Sequence, residues 1–114
     1  MSKATDYWWN EINEFGIIDK SYKFSVDMLD IGHWTQMAWG PTSKLGCGVS
    51  HCPRMTKGYR STIYVVCHYS DRGNYKGELI YDFGNGCNRD LDCDAFRGSK
   101  CEPGTNLCIA PLAI

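Results

Sequence analysis

Two side chains of this sequence, Glu11 and His33, have the types that proton-transfer chemistry requires. A histidine and a carboxylate within hydrogen-bond reach of one another can act as a general acid–base pair. A hydrolase would also need an activated nucleophile, and no serine stands in a Gly-x-Ser-x-Gly context. The serines considered are Ser43, Ser50 and Ser61. Catalysis is therefore the weaker of the hypotheses that these residues allow.

Glu11 belongs to residues 6–15, which are predicted to form one helix, with Asp6 as its N-cap and Gly16 as its stop. The apolar stripe of this helix consists of Trp8, Ile12 and Phe15. Glu11 lies on or beside that stripe, where a carboxylate costs free energy unless it is paired or lines a wet cavity. Two explanations follow: a lining position in a cavity, or a buried carboxylate satisfied by nearby donors.

His33 lies near the start of a second predicted helix, residues 32–39, which Gly40-Pro41 ends. At that place a histidine can cap a helix, pack in a core or line a cavity. Two further histidines, His51 and His68, fall in predicted strands and are interpreted as structural rather than metal-ligating. The four tryptophans are interpreted as mainly core residues, with the alternative that one of them is exposed to a ligand: Trp8, Trp9, Trp34 and Trp39.

A strand is predicted at residues 61–69, and a shorter, glycine-broken one at 44–51. Both faces of residues 61–69 are apolar, which predicts burial on both sides. Helices followed by strands give an α+β fold class. The composition changes at Cys87, so two regions are expected: residues 5–86, and a cysteine-rich tail at 87–114 with few large apolar side chains.

Seven cysteines in 114 residues are typical of an oxidising, extracellular compartment. Four of them, Cys87, Cys93, Cys101 and Cys108, lie in the tail and are expected to pair among themselves, with three connectivities open. The net charge is −1 with no basic block, which argues against nucleic acid as a partner. No apolar run approaches the roughly 20 residues of a membrane helix. The polar first residues, 1–6, lack the apolar segment of a signal peptide, so no signal peptide is expected within them.

Two segments resemble the signatures of the CAP superfamily, which comprises cysteine-rich secretory, antigen 5 and pathogenesis-related proteins. Residues 32–39, GHWTQMAW, match the first signature. Residues 64–75, YVVCHYSDRGNY, match the second except at Asp71. Residues 8–11, WWNE, resemble the Trp-x-x-Glu helix of the family. The tail resembles the hinge of nematode members, the activation-associated secreted or venom allergen-like proteins.

The resemblance implies a partial CAP α-β-α sandwich, the C-terminal half of the family domain, with a disulfide-bonded hinge-like tail. An N-terminal truncation is expected on this basis. The family groove carries two histidines and two glutamates, of which Glu11 and His33 match one each. Thr35 and Gln36 are expected in the groove wall. Some members bind Zn²⁺ through the groove histidines, but with only His33 present no stable metal site, and no other cofactor, is expected.

The resemblance also implies that Cys52 pairs with Cys67, which leaves Cys47 unpaired. The function it implies is that of a secreted, non-enzymatic protein that binds a sterol, another lipid or a host protein, with immune modulation as one role. The alternatives are a metal-assisted hydrolase that uses Glu11 and His33, and a channel- or receptor-blocking module built on residues 87–114.

Overall fold

The computed structural model describes residues 2–17, 20–53 and 60–112. They divide into two compact units, Met1–Tyr81 and Asp82–Ile114. The helices of the first unit are α1, Ser2–Trp9; α2, Glu11–Phe15; a 3₁₀ helix, Val26–Ile31; and α3, Gly32–Met37. Its strands are β1, Lys44–Cys52, and β2, Thr62–Ser70. In the second unit, a short 3₁₀ turn, Asp90–Asp92, precedes β3, Lys100–Glu102, and β4, Leu107–Ile109.

The first predicted helix differs from the observed one at its start. The helix begins at Ser2, so Asp6 lies inside α1 and is not a cap. A turn at Asn10 separates α1 from α2, although the Asn10 N–H still bonds to the Asp6 carbonyl at 3.0 Å. The stop at Gly16 is confirmed, because Gly16 adopts a φ of 72° that favours glycine and donates its N–H to the Ile12 carbonyl.

The core of the first unit is formed by six buried apolar side chains: Phe24, Met28, Ile31, Trp34, Trp39 and Ile80. The packing of these side chains holds the 3₁₀ helix, α3 and the segment around residue 80 together. Backbone hydrogen bonds from Ile80 to Tyr22 and from Gly40 to Ile80 fix that segment. Of the four tryptophans, Trp34 and Trp39 are buried in the core, whereas Trp8 is partly exposed and Trp9 is half exposed.

β1 and β2 form a two-stranded antiparallel sheet, and the expected burial of residues 61–69 on both faces is wrong. Ile63 is 62% exposed on one face of β2, and Tyr64 is 60% exposed on the other. The physical reason is that, among the described elements, no helix packs extensively on either face of this sheet. The apolar pattern of a strand shows which of its faces can be buried. The helices or sheets that cover those faces come from other parts of the fold.

The register of this sheet also corrects the disulfide expected in it. Cys47 stands directly opposite Cys67 and is bonded to it, with 4.0 Å between their Cα atoms. Cys52 stands opposite Thr62 and is free. At about 3.4 Å per residue, the five positions from Thr62 to Cys67 put Cys52 roughly 17 Å from the Cys67 backbone. Cys47 is therefore the bonded residue and Cys52 the unpaired one.

The second unit depends on covalent bonds, because its buried side chains, among residues 82–112, are two cysteines and a serine: Cys87, Cys93 and Ser99. The four tail cysteines pair among themselves, as Cys87–Cys101 and Cys93–Cys108. Asp90 supports the β3 strand by accepting the Cys101 N–H at 2.9 Å. This bond, with the Lys100 ammonium, holds the pKa of Asp90 below its usual value.

No helix within the described part of the chain is both long and apolar enough to cross a membrane.

Candidate functional site

Glu11, the first residue of α2, is buried against the start of α3. Its Oε1 atom accepts the backbone N–H groups of His33 and Trp34, each at 3.0 Å. These N–H groups belong to the first turn of α3, where a helix has no carbonyl partners of its own. Glu11 therefore caps α3 from another helix, which explains why a carboxylate is tolerated on an apolar stripe.

The same carboxylate orients the imidazole of His33. Oε2 of Glu11 lies 2.8 Å from Nδ1 of His33. The ring also stacks on the indole of Trp8, with 5.1 Å between the ring centroids and 7° between the planes. Two contacts thus fix the ring, while 61% of the His33 side chain stays exposed. The structure brings the two candidate residues, Glu11 and His33, into direct contact.

Thr35 and Gln36 connect α3 to the loop that follows β2. Thr35 is fully buried, and its hydroxyl lies 2.7 Å from Oδ1 of Asn74. Asn74 donates its amide N–H to the Gly32 carbonyl at 3.0 Å. Gln36 accepts the Gly73 N–H at 2.8 Å and donates to the Thr42 hydroxyl at 3.2 Å. These bonds hold the loop against the helix.

A cavity of about 510 Å³ lies between α3 and β2. Of the residues expected in the groove, His33 and Gln36 line this cavity, whereas Glu11 and Thr35 do not, because Glu11 is turned to the start of α3 and Thr35 is fully buried. Both odd- and even-numbered residues of β2 line it too, so the cavity follows the edge of that strand rather than one face. The full lining is Trp8, Leu29, Gly32, His33, Gln36, Tyr64, Val65, Val66, Cys67, Tyr69 and Asn74.

Asn74 is the site residue that sequence reasoning missed. It takes a φ of 60°, the left-handed region that asparagine enters more readily than most residues. The Gly73-Asn74 pair is a turn signal in the sequence. That signal predicts a turn, but it does not say that the asparagine amide will reach back to α3.

Changing Gly73 to alanine is expected to open the contact between the loop and α3. A Cβ atom there would lie 2.6 Å from Cγ of Trp39 and 2.8 Å from Nε2 of Gln36. Since Trp39 is buried, the loop backbone must move, at a cost of about 1–3 kcal/mol of unfolding free energy. Chemical denaturation with a Gly48→Ala control checks this, because a Cβ at Gly48 meets open space. Equal stability of the two variants would contradict the packing described.

The residues present do not fit a zinc site. Both oxygens of Glu11 are engaged, Oε1 by two backbone N–H groups and Oε2 by Nδ1 of His33, which leaves Nε2 of His33 as a single imidazole ligand. Protein Zn²⁺ sites normally use three or four ligands. Across the described ranges, the one metal-like cluster is Cys87, Cys93 and Cys108, whose sulfurs are already in disulfides.

Comparison with known proteins gives consistent matches. The sequence model of the cysteine-rich secretory protein family, CAP, matches residues 1–69. The Ancylostoma secreted protein of Ancylostoma caninum is 38% identical over 113 residues, which cover 96% of this chain and 24% of that protein. Cysteine-rich secretory protein 1 of Mus musculus is 35% identical, with coverages of 94% and 40%.

The solved structure of BmVAL-1 superposes with a TM-score of 0.77 at 35% identity, covering 97% of this chain and 52% of that one. For Na-ASP-1 the TM-score is 0.72 at 36% identity, with coverages of 93% and 25%. The chain thus spans between a quarter and about half of the length of these relatives. The α+β architecture is that of part of a CAP domain, and the chain belongs to the cysteine-rich secretory protein (CAP) family, with nematode secreted proteins among its relatives.

Proposed function

We propose that this chain is a secreted binding protein whose cavity holds an apolar small molecule, a sterol or another lipid. The observation that carries the proposal is the cavity between α3 and β2. Its volume of about 510 Å³ lies within the range of small-molecule sites. Its lining is mostly aromatic and aliphatic, with a few polar side chains, which is the usual composition of such sites.

An extracellular location is supported by the family and by the cysteines. The family model and two relatives carry "secretory" or "secreted" in their names. Six of the seven cysteines are in disulfides, which persist in oxidising compartments. Binding of a host protein, with immune modulation as its consequence, remains a prediction that rests on the family resemblance alone.

The hydrolase alternative is favoured by one observation, the 2.8 Å contact between Glu11 and His33. A carboxylate that orients an imidazole is part of the serine hydrolase arrangement. The nucleophile is the difficulty, since the cavity lining contains no serine and its one cysteine, Cys67, is in a disulfide. Ester hydrolysis that is lost in both Glu11→Gln and His33→Phe would favour this alternative over simple binding.

The tail alternative is tested separately, because residues 87–114 belong to the second unit. Leu91 and Leu107 are strongly exposed there, at 81% and 65%. If the tail blocks a receptor, polar substitutions at these two positions abolish the activity and leave ligand binding by the first unit unchanged.

The cavity proposal is tested by filling the cavity. Gly32 lines it, adopts helical dihedrals and has open space where a Cβ atom would stand, so Gly32→Phe adds a ring beside the cavity without a clash at Cβ. Binding of a fluorescent sterol or lipid is expected to weaken by about 10-fold or more, because a bulky ring at a lining position narrows the cavity. Gly48→Phe is the matched control, since Gly48 also has open space but does not line the cavity. Equal binding by both variants would place the ligand elsewhere.

A further inference from the structure

The sequence contains one Asn-Gly pair, Asn85-Gly86, just before the first disulfide-bonded cysteine of the tail, Cys87. Asparagine is one of the chemically labile residues of proteins. It loses its amide when the backbone nitrogen of the next residue attacks Cγ of its side chain. The reaction requires an asparagine side chain that is not held by hydrogen bonds, a free N–H on the next residue, and a backbone that can rotate to bring the two atoms together.

Asn85 meets all three requirements. It is exposed and lies outside the helices and strands. Asn85 and Gly86 take part in no hydrogen bond among the described residues. Glycines stand on both sides of Asn85, and Gly84 and Gly86 take φ values of 155° and 80°. Because glycine leaves a backbone its greatest freedom of rotation, the side chain of Asn85 can approach the nitrogen of Gly86 without breaking an existing contact.

The other asparagines of the chain are held by hydrogen bonds. After Asn88, the N–H of Arg89 already donates to Oδ2 of Asp92 at 3.2 Å. Asn106 donates its side-chain amide to the Cys87 carbonyl at 3.0 Å. Side-chain hydrogen bonds also involve Asn10, Asn13 and Asn74. The fold therefore leaves Asn85 as the reactive asparagine of the part of the chain that the structure describes.

The main chain that follows Asn85 is fixed in place. A Cβ atom on Gly86 would collide with the carbonyl of Asn106, so Gly86 lies directly against that residue. The Cys87 N–H donates to the same carbonyl at 2.9 Å. A change at Asn85 therefore falls just outside the segment that these contacts and the tail disulfides hold, and the tail can tolerate it.

We propose that Asn85 is a site of spontaneous deamidation in the folded protein, through the backbone nitrogen of Gly86. This nitrogen gives up its proton to water or hydroxide and bonds to Cγ of Asn85, while the Cγ–Nδ2 bond breaks and ammonia leaves. Water then opens the resulting five-membered succinimide ring. Opening at Cγ gives aspartate, and opening at the backbone carbonyl carbon gives isoaspartate, whose main chain runs through Cβ and is one atom longer.

Either product adds one negative charge to a chain whose formal net charge is −1. The modification does not depend on what the cavity binds, so it stands or falls separately from the proposed function.

The experiment keeps the folded, disulfide-bonded chain at pH 7 and at pH 9 and follows each asparagine by peptide mapping with mass spectrometry. The Asn85 amide is expected to be lost as two isomeric products, faster at pH 9 because the attacking nitrogen must lose its proton. Chain that is reduced and unfolded in urea is the reference. Unfolding should change the rate at Asn85 little, whereas it should accelerate loss at Asn88 by about 10-fold, because the Arg89 N–H is then released from Asp92.

Asn85→Gln is the test variant, and Asn88→Gln is the matched control, since both positions are exposed. Glutamine would have to close a six-membered ring, which forms far more slowly. The acidic forms that isoelectric focusing detects in the aged chain should therefore disappear in Asn85→Gln and persist in Asn88→Gln. Acidic forms that persist unchanged in Asn85→Gln would overturn the inference. So would an Asn85 amide that survives in the folded chain under conditions in which the unfolded chain loses it.

Discussion

Glu11→Ala is expected to lower the free energy of unfolding by about 3 kcal/mol. The substitution removes a buried carboxylate that accepts three hydrogen bonds, two of them from the first turn of α3. Leaving a buried donor unsatisfied costs about 1–3 kcal/mol, and loss of a helix cap costs about 1 kcal/mol. The exposed imidazole of His33 can turn to water, which limits the total. The melting temperature should then fall by roughly 10–20 °C.

Thermal unfolding followed by circular dichroism measures this effect, and Glu14→Ala is the matched control. Glu14 lies in the same short helix but is exposed, so its loss should change stability by less than about 0.5 kcal/mol. Glu11→Gln should fall between the two variants, because its carbonyl oxygen can still accept from the backbone of α3. If Glu11→Ala were as stable as Glu14→Ala, Glu11 would not cap α3.

The contact between Glu11 and His33 shows what a single sequence can predict about this site. A carboxylate on an apolar stripe signals a partner, because the alternative is an unpaired buried charge. That argument leaves two explanations for Glu11, a cavity-lining position and a buried carboxylate satisfied by nearby donors, and the structure shows the second. The argument does not identify the partner, since the His33 and Trp34 N–H groups meet Glu11 through tertiary packing, 22 and 23 residues along the chain.

The strands β1 and β2 show that a sequence pattern can predict strands but not how they pair. Residue types predicted both β1 and β2 to within a residue or two, since β-branched and aromatic residues favour extended backbone. The pairing register is a property of two strands together. Cys47 and Cys52 are both plausible partners for Cys67 until the register places Cys47 opposite it. The disulfide expected from the family resemblance was therefore wrong, although the strands that carry it were right.

The loop after β2 shows contacts that the sequence alone could not predict. Thr35, Gly73 and Asn74 look in sequence like a helix residue and a turn. In the structure they form one hydrogen-bonded connection between α3 and the loop. Hydrogen bonds between residues about 40 positions apart depend on how the core packs, and no local pattern encodes them. The cavity lies beside this connection, so its shape could not be derived before the fold.

The dependence of the tail on disulfide bonds is the feature that composition predicts most directly. A segment with few large apolar side chains cannot offset the entropy of ordering its backbone, so covalent bonds must define it. Its buried residues agree, since two of the three are bonded cysteines. Composition did not choose among the three connectivities. The structure pairs Cys87 with Cys101 and Cys93 with Cys108, 14 and 15 residues apart.

Replacing Cys93 and Cys108 together by serine is therefore expected to unfold the tail. In the chain-entropy account, a bond closing a loop of this length stabilises by about 3 kcal/mol. Within residues 87–112 the tail shows no apolar core to compensate, whereas the first unit has its own. Hydrogen exchange read by mass spectrometry should show loss of amide protection in residues 87–112 and retained protection in α3. Cys52→Ser is the control, because Cys52 is free and its replacement breaks no bond. Protected amides in β3 and β4 of the double variant would mean that contacts other than this disulfide define the tail.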